Sequence, residues 1–184
     1  KADSLYFDTS RSNQVWVGSS TGTAFAAASP WVSYSSSTPA QIQYADVNGD
    51  GRPDALYADT SGNRALVSLS TGGGFNAPSG WATFSAYSST LDPAQVQYAD
   101  VDGDGRADLI YQGPDNAFRV ALSSGMGFGT PVVWVQHGGS FTAGQAQYAD
   151  VNGDGRADLI FQASGNSFSV SLSTGTGFTT PVLW

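Results

Sequence analysis

The chain has 184 residues, enough for one sizeable hydrophobic core, and a formal net charge of −8. This charge disfavours nucleic acids and anionic membranes as partners, and no apolar run approaches the ~20 residues of a membrane-spanning helix. All fifteen acidic residues are aspartates, and the chain has 23 glycines, no cysteine and one histidine. Because exposed helices use glutamate and lysine most, this composition predicts an all-β protein rich in turns.

Three sequence markers recur along the chain. An acidic loop begins at Asp46, Asp100 and Asp150, so that its copies lie 54 and 50 residues apart. In each unit a glycine-rich turn ends in a phenylalanine and is followed by a tryptophan; the pairs are Phe25 and Trp31, Phe75 and Trp81, Phe128 and Trp134, and Phe178 and Trp184. A period of about 50 residues that holds several short strands is typical of propellers and solenoids.

In chain order, we predict one repeat domain over residues 1–184 that contains nearly four units. Residues 1–40 are an incomplete first unit that lacks the acidic loop, because Lys1-Ala2-Asp3 aligns with the end of that loop. Residues 41–94 and 95–144 are the second and third units, and residues 145–184 are a fourth that stops at Trp184. Since a propeller must close to cover its end blades, we expect either a homo-oligomer that completes one ring or a fragment of a longer protein.

The strands of a unit are clearest in the last one. The first strand is predicted over QAQYADV, before the acidic loop, and the second over DLIFQA. A tight turn at residues 164–166 leads to the alternating third strand FSVSLS, and PVLW begins the fourth. Four short antiparallel strands in each unit of about 50 residues describe the blade of a β-propeller. A β-sandwich is the competing all-β fold, but it would not require the internal repetition.

Each acidic loop carries the ligand pattern of a metal site. Side-chain oxygens stand at loop positions 1, 3, 5 and 9, and position 7 offers a backbone carbonyl, much as in an EF-hand loop. Good turn formation explains Asn-Gly and Asp-Gly at positions 3 to 6, but not the aspartates at both ends. Hard oxygen ligands favour Ca²⁺ over zinc or copper, and Mg²⁺ usually keeps more water. We therefore predict three Ca²⁺ sites, formed by Asp46, Asn48, Asp50, Arg52 and Asp54; by Asp100, Asp102, Asp104, Arg106 and Asp108; and by Asp150, Asn152, Asp154, Arg156 and Asp158.

The motif Asp-x-Asn/Asp-x-Asp-Gly-x-x-Asp, followed by an apolar strand and a Gly-Phe element, resembles the FG-GAP/VCBS repeats. Such repeats build the integrin α-subunit propeller and many secreted propellers of bacteria and fungi. The resemblance covers nearly the whole chain and implies a propeller with a Ca²⁺ loop between the first two strands of a blade. Similar single-domain propellers include the PVL-type fungal lectins, which bind sugars between blades. The resemblance therefore implies a secreted, extracellular protein.

One tryptophan in each unit is a candidate for ligand binding. Sugars stack on aromatic faces and are held by neutral hydrogen-bonding groups, and loops rich in Ser, Thr, Asn and Gln lie beside these tryptophans. The alternative is that a tryptophan at every equivalent position packs between blades. The candidates are Trp31, Trp81, Trp134 and Trp184.

Three classes of function remain to be weighed. Catalysis is disfavoured, because the chain has no glutamate, no cysteine nucleophile and no G-x-S-x-G motif, and ten of its fifteen aspartates lie in the acidic loops. We therefore expect a secreted, lectin-like protein that binds carbohydrate at repeated sites and is not an enzyme. An adhesion or protein-interaction scaffold is the alternative.

Overall fold

A computed structural model describes residues 3–8, 10, 13–34, 42–59, 64–84, 95–113, 115–136, 146–162 and 167–184. The turn predicted at residues 164–166 lies outside the described residues. The strands are β1 (Ser4–Asp8), β2 (Gln14–Gly18), β3 (Ser29–Ser33), β4 (Ile42–Ala45), β5 (Asp54–Asp59), β6 (Arg64–Ser68), β7 (Ser79–Thr83), β8 (Gln97–Ala99), β9 (Asp108–Gln112), β10 (Ala117–Ala121), β11 (Val132–Gln136), β12 (Ala146–Ala149), β13 (Asp158–Gln162), β14 (Phe168–Ser171) and β15 (Val182–Leu183).

The strands form four antiparallel sheets in which each strand pairs with its neighbours in the chain. Blade 1 has three strands, β1 to β3, and blades 2, 3 and 4 have four strands each, β4–β7, β8–β11 and β12–β15. Each blade lies inside one of the predicted units. The described part of the chain contains no helix with the length and hydrophobicity of a membrane-spanning segment. The prediction of an all-β protein built of propeller blades is confirmed.

The inner strands of a blade are buried on both faces. In β6 the four residues from Ala65 to Ser68 are all buried, and in β9 so are the four from Asp108 to Tyr111. A sheet with one solvated face would bury only alternate residues. The pattern in β6 and β9 arises because blades 2 and 3 each pack against a neighbouring blade on both sides.

An aromatic pair lies at every junction between blades. The rings of Trp134 in blade 3 and Phe178 in blade 4 meet edge to face, with centroids 5.1 Å apart. The backbone N–H of Phe178 also donates a hydrogen bond to the Trp134 carbonyl, with an N···O distance of 3.1 Å. The equivalent ring pairs are Trp81 with Phe128 at 5.4 Å and Trp31 with Phe75 at 5.3 Å.

The acidic loops provide a second set of contacts between blades. The Asp46 carbonyl in blade 2 accepts a hydrogen bond from the N–H of Ala107 in blade 3, at 2.7 Å. The Val47 carbonyl accepts one from the Ser123 hydroxyl at 2.6 Å, and the Val47 side chain is fully buried. Blades 3 and 4 repeat these contacts, with Asp100 bound by Ala157 and Val101 by Ser173. The loops of blades 2 and 3 therefore hold the next blade as well as their own.

We predict that Trp134→Ala destabilises the protein by about 3 kcal/mol or more, because it leaves a large cavity beside Phe178. The matched control is Val133→Ala, since Val133 is the adjacent strand residue and half exposed, and its effect should stay within about 0.5 kcal/mol. Urea unfolding of the two variants measures the difference. A loss below about 1 kcal/mol for Trp134→Ala would contradict the importance of the aromatic junction.

A second prediction concerns the serine that reaches the preceding acidic loop. We expect Ser173→Ala to cost about 1 to 2 kcal/mol, because it leaves the buried Val101 carbonyl without this partner. Ser70 occupies the same position in blade 2. The preceding blade, blade 1, has no acidic loop among its described residues, so Ser70 has no loop carbonyl of that kind to bind. Ser70→Ala is therefore the control and should cost clearly less in the same unfolding experiment. Equal losses would show that the bond between blades contributes little.

Candidate functional site

The acidic loops connect the first and second strands of blades 2, 3 and 4. In blade 3 the loop winds around the carboxylate of Asp100, whose two oxygens accept the N–H groups of Gly103 at 2.7 Å and Gly105 at 2.9 Å. Both glycines have φ near +80°, at +83° and +84°, which L side chains rarely adopt. Asp46 and Asp150 accept the N–H groups of the equivalent glycines in their own loops. The carboxylate of the position-1 aspartate therefore lies at the centre of the loop.

In blade 3 three carboxylates converge. Asp100, Asp102 and Asp108 each offer an oxygen, and these oxygens all lie within 4.8 Å of one another, so the group could hold a metal ion. In the other two loops Asp102 is replaced by an asparagine. The side-chain oxygens of Asn48 and Asn152 accept the N–H two residues further on, as the Asp102 carboxylate does. The three loops thus share one backbone arrangement.

The aspartate at position 9 has a structural contact as well as its predicted ligand role. Asp108 is fully buried, and its carboxylate accepts the N–H groups of Val101 at 3.2 Å and Ser123 at 2.8 Å. Burial raises the pKa of Asp108 to about 7, because desolvation outweighs the two hydrogen bonds that lower it. Asp54 and Asp158 are buried and hydrogen-bonded in the same way. This residue ties the acidic loop to the turn after the third strand.

The aspartate at position 5 pairs with the arginine at position 7. Asp50 contacts Arg52 at 2.7 Å, Asp154 contacts Arg156 at 2.6 Å, and Asp104 pairs with Arg106. The converging group of blade 3 does not include Asp104. The predicted ligand roles of the position-5 carboxylates and of the arginine carbonyls stay predictions.

The arginines also bridge adjacent blades. The Nε of Arg156 donates to the Ser173 carbonyl at 3.3 Å within blade 4. Its aliphatic stem covers Gly103 of the preceding loop, where an added Cβ would lie 3.0 Å from the Arg156 Cγ. Arg106 covers Gly49 in the same manner. In blades 2 and 3 the glycine at position 4 is therefore needed for close packing as well as for its positive φ.

The donor set of the loops fits a hard divalent cation. It consists of carboxylate and amide oxygens, which Ca²⁺ binds in shells of six to eight ligands. The raised pKa of Asp108 reports the cost of a buried negative charge, and a bound cation would offset that cost. The fold thus holds Asp100, Asp102 and Asp108 close together, while the ion pair with Arg106 is made by Asp104.

The four candidate tryptophans do not have equal surroundings. Trp81 and Trp134 are 8% and 6% exposed, and Trp31 is half-buried, because all three pack between blades. Trp184 lies on the outer face of blade 4 and is 59% exposed. The sequence left open whether these tryptophans pack between blades, and the structure shows that three of the four do. Ligand binding by these residues stays a prediction.

A cleft of about 600 Å³ opens between blades 2 and 3, beside one of these tryptophans. Trp81 and Phe128 form its apolar wall, and Arg64, Thr83 and Thr130 contribute polar groups. The guanidinium of Arg64 is held by the Asp59 carboxylate at 2.9 Å, and the Asp59 side chain is only 4% exposed. A smaller cavity of about 210 Å³ adjoins the cleft and is lined by Asp59 and Arg64 of blade 2 and by Ser33 of blade 1.

The residues that give this cleft its polarity were not singled out from the sequence. An alignment of the third strands would have provided a signal, because Arg64 stands where the other blades have Gln14, Ala117 and Ser167. One charged residue among four equivalent positions indicates a local difference between repeats. The sequence does not show that this position faces a cleft, since the opposite wall comes from the next blade.

Solved structures with the same architecture include a lectin. An Agrocybe aegerita lectin that recognises non-reducing terminal N-acetylglucosamine matches with a TM-score of 0.75 and 22% identity, over 98% of this chain and 52% of its own. TcdB2-TccC3 matches with a TM-score of 0.62 and 25% identity, over 91% of this chain and 9% of its own. TcdB2-TccC3 without its hypervariable C-terminal region matches with a TM-score of 0.60 and 30% identity, over 76% of this chain and 7% of its own. This chain thus spans about half of the lectin chain and under a tenth of the other two.

The sequence itself identifies the repeat. No match to the chain was found among curated proteins. Residues 1–57, 46–111 and 100–161, however, match the FG-GAP-like repeat. The three overlapping matches contain the acidic loops and most of the strands, as the resemblance predicted. The chain belongs to the FG-GAP-like repeat family.

Proposed function

We propose that this protein is a Ca²⁺-binding β-propeller that binds carbohydrate in clefts between successive blades. The observation that carries the proposal is the cleft between blades 2 and 3, where polar groups surround an aromatic wall. Its volume of about 600 Å³ is in the range of pockets that hold small ligands. A mono- or disaccharide is the class of ligand that we expect there.

The chemistry of the cleft suits a sugar. The Trp81 and Phe128 rings offer apolar surface to the C–H groups of a pyranose, although most of the Trp81 surface is covered by the blades. Arg64 is held by Asp59 and keeps further N–H donors for hydroxyl groups, while the Thr83 and Thr130 hydroxyls both donate and accept. The Agrocybe aegerita lectin, which has the same fold, makes a non-reducing terminal N-acetylglucosamine the first ligand to test.

We propose binding without catalysis. Among the described aspartates outside the acidic loops, Asp59 pairs with Arg64 and Asp115 pairs with Arg119. The Asp3 carboxylate accepts the N–H of Ser20 at 2.7 Å, and Asp8 accepts hydrogen bonds from Ser10. A glycosidase requires two carboxylates facing one substrate. These aspartates are instead each engaged with a different partner.

We propose Ca²⁺ as the cation of all three acidic loops. The blade 3 loop already gathers three carboxylates, and the other two loops have the same hydrogen bonds around position 1. A bound Ca²⁺ would neutralise the mutual repulsion of the carboxylates. Because the loops of blades 2 and 3 also hold the next blade, we expect the ions bound there to stabilise the junctions as well as the loops.

We propose further that the protein acts outside the cell, as its family resemblance implies, and that it works as a homo-oligomer. The alternative function is an adhesion or protein-interaction scaffold, or one part of a larger exported propeller protein. The likeness to short segments of the much longer TcdB2-TccC3 chains supports that alternative. Carbohydrate binding separates the two possibilities.

The carbohydrate proposal predicts saturable binding on a glycan array, followed by titration calorimetry with the best glycan. We expect Arg64→Ala to weaken that binding at least about tenfold, since the cleft loses its charged donor. Arg119→Ala is the matched control, because Arg119 also pairs with an aspartate but does not line the cleft. Affinity unchanged by Arg64→Ala would place the site elsewhere. A folded protein that binds no glycan of a broad array would favour the scaffold.

The calcium proposal predicts that EDTA lowers the melting temperature and that Ca²⁺ restores it. One site with Ca²⁺ at a hundred times its Kd adds about 2.7 kcal/mol to the free energy of unfolding. Asp100→Ala should reduce the calorimetric stoichiometry from three ions to two, because it removes the carboxylate around which the blade 3 loop winds.

The control for this experiment is Asp102→Asn, which introduces the residue that the other two loops have at this position. We expect this variant to keep three ions. A melting temperature that is insensitive to EDTA, or the same stoichiometry for both variants, would count against the proposal.

A further inference from the structure

The outer face of blade 4 exposes residues whose equivalents are buried in blade 3. Val151, Phe168 and Trp184 are 37%, 54% and 59% exposed. Their equivalents in blade 3 are Val101, Phe118 and Trp134, which are 0%, 1% and 6% exposed. Phe168 and Trp184 thus present large apolar surfaces to solvent where blade 3 presents the same residue types to blade 4. This face has the composition of a blade junction.

The outer face of blade 1 has the complementary character. Tyr6 and Phe25 are 46% and 60% exposed. Their equivalents in blade 4, Phe161 and Phe178, are 8% and 7% exposed because blade 3 covers them. Blade 1 therefore offers the aromatic residue that inserts beside a tryptophan, and blade 4 offers a tryptophan without such a neighbour.

The polar groups of the two faces also match. At the junction of blades 2 and 3, Ser123 donates to the Val47 carbonyl and Phe128 N–H to the Trp81 carbonyl. Blade 1 has Ser20 and Phe25 at the donor positions, and blade 4 has Val151 and Trp184 at the acceptor positions. The Ser20 Oγ accepts the N–H of Gly22, as the Ser123 Oγ accepts that of Gly125, so the two turns have the same form.

We propose that the outer face of blade 4 docks onto the outer face of blade 1 of a second copy, so that two copies close one ring. Each copy has two outer faces, one on blade 1 and one on blade 4. When two copies pair these unlike faces twice, all four are covered and the assembly closes. The lengths agree with this arrangement, since 98% of this chain matches 52% of a lectin chain with the same fold. The inference rests on the proposed homo-oligomer and is independent of carbohydrate binding.

The first test is the mass in solution of the 184-residue chain by light scattering. We expect 38.0 kDa, twice the 19.0 kDa of one chain. Phe168→Asp and Phe25→Asp should each give 19.0 kDa, because a charge then lies at both junctions of the ring. Met126→Asp is the matched control and should remain dimeric, since Met126 is 86% exposed on a turn outside both faces. Circular dichroism verifies that the variants are folded.

Mixing the two monomeric variants tests which faces meet. The Phe25→Asp copy keeps an intact blade 4 and the Phe168→Asp copy keeps an intact blade 1, so the mixture should recover a dimer through one junction. A dimer of Phe25→Asp alone would mean that blade 4 pairs with blade 4, which overturns the inference but keeps the homo-oligomer. A monomeric unmodified chain would overturn both.

Cross-linking provides an independent measurement if either aspartate variant fails to fold. The chain has no cysteine, so Ser20→Cys and Val151→Cys each introduce a single thiol. A short bis-maleimide should cross-link a mixture of the two copies and should not cross-link either copy to itself. Efficient cross-linking of Val151→Cys alone would contradict the pairing of unlike faces.

Discussion

The junction between successive blades is the contact on which this structure depends. Strands of two to six residues form small sheets whose apolar faces need a partner, and blades 2 and 3 bury both of their faces against neighbouring blades. The phenylalanine after the glycine-rich turn makes this possible, because its ring packs against the tryptophan of the preceding blade and its N–H binds that tryptophan's carbonyl. The inner strands are then buried on both sides.

The acidic loops are part of the same junctions. The carbonyls of Asp46 and Val47 bind the next blade, while the carboxylate of Asp54 binds the turn of its own blade. A change in the charge of such a loop therefore acts on two blades at once. Concentrating the acidic residues at these positions couples electrostatic repulsion within the loop to the contacts that hold successive blades together. A cation bound in the loop, as we propose, would act on those contacts too.

Repetition of the backbone leaves room for different side chains at equivalent positions. Blade 2 has Pro53 where Ala107 and Ala157 donate a backbone N–H to the preceding blade, and proline has no N–H to donate. The cleft between blades 2 and 3 contains Arg64 where the next blade has Ala117. Equivalent positions beside the junctions therefore differ in charge, and we expect any ligands bound there to differ as well.

The sequence by itself determined the repeats, the strands and the acidic loops, because these depend on local patterns: alternation, turn residues, and oxygen donors a few residues apart. Only the tertiary structure decided what Trp81 and Trp134 pack against, that Asp108 is buried with two backbone N–H groups, and that Arg64 lines a cleft. The tryptophan contacts and the lining of the cleft depend on the approach of two blades whose residues are about fifty positions apart. The hydrogen bonds of Asp108 instead join parts of one blade that are 7 and 15 residues away along the chain. A pattern read within one repeat contains no information about the surface that the next repeat places against it.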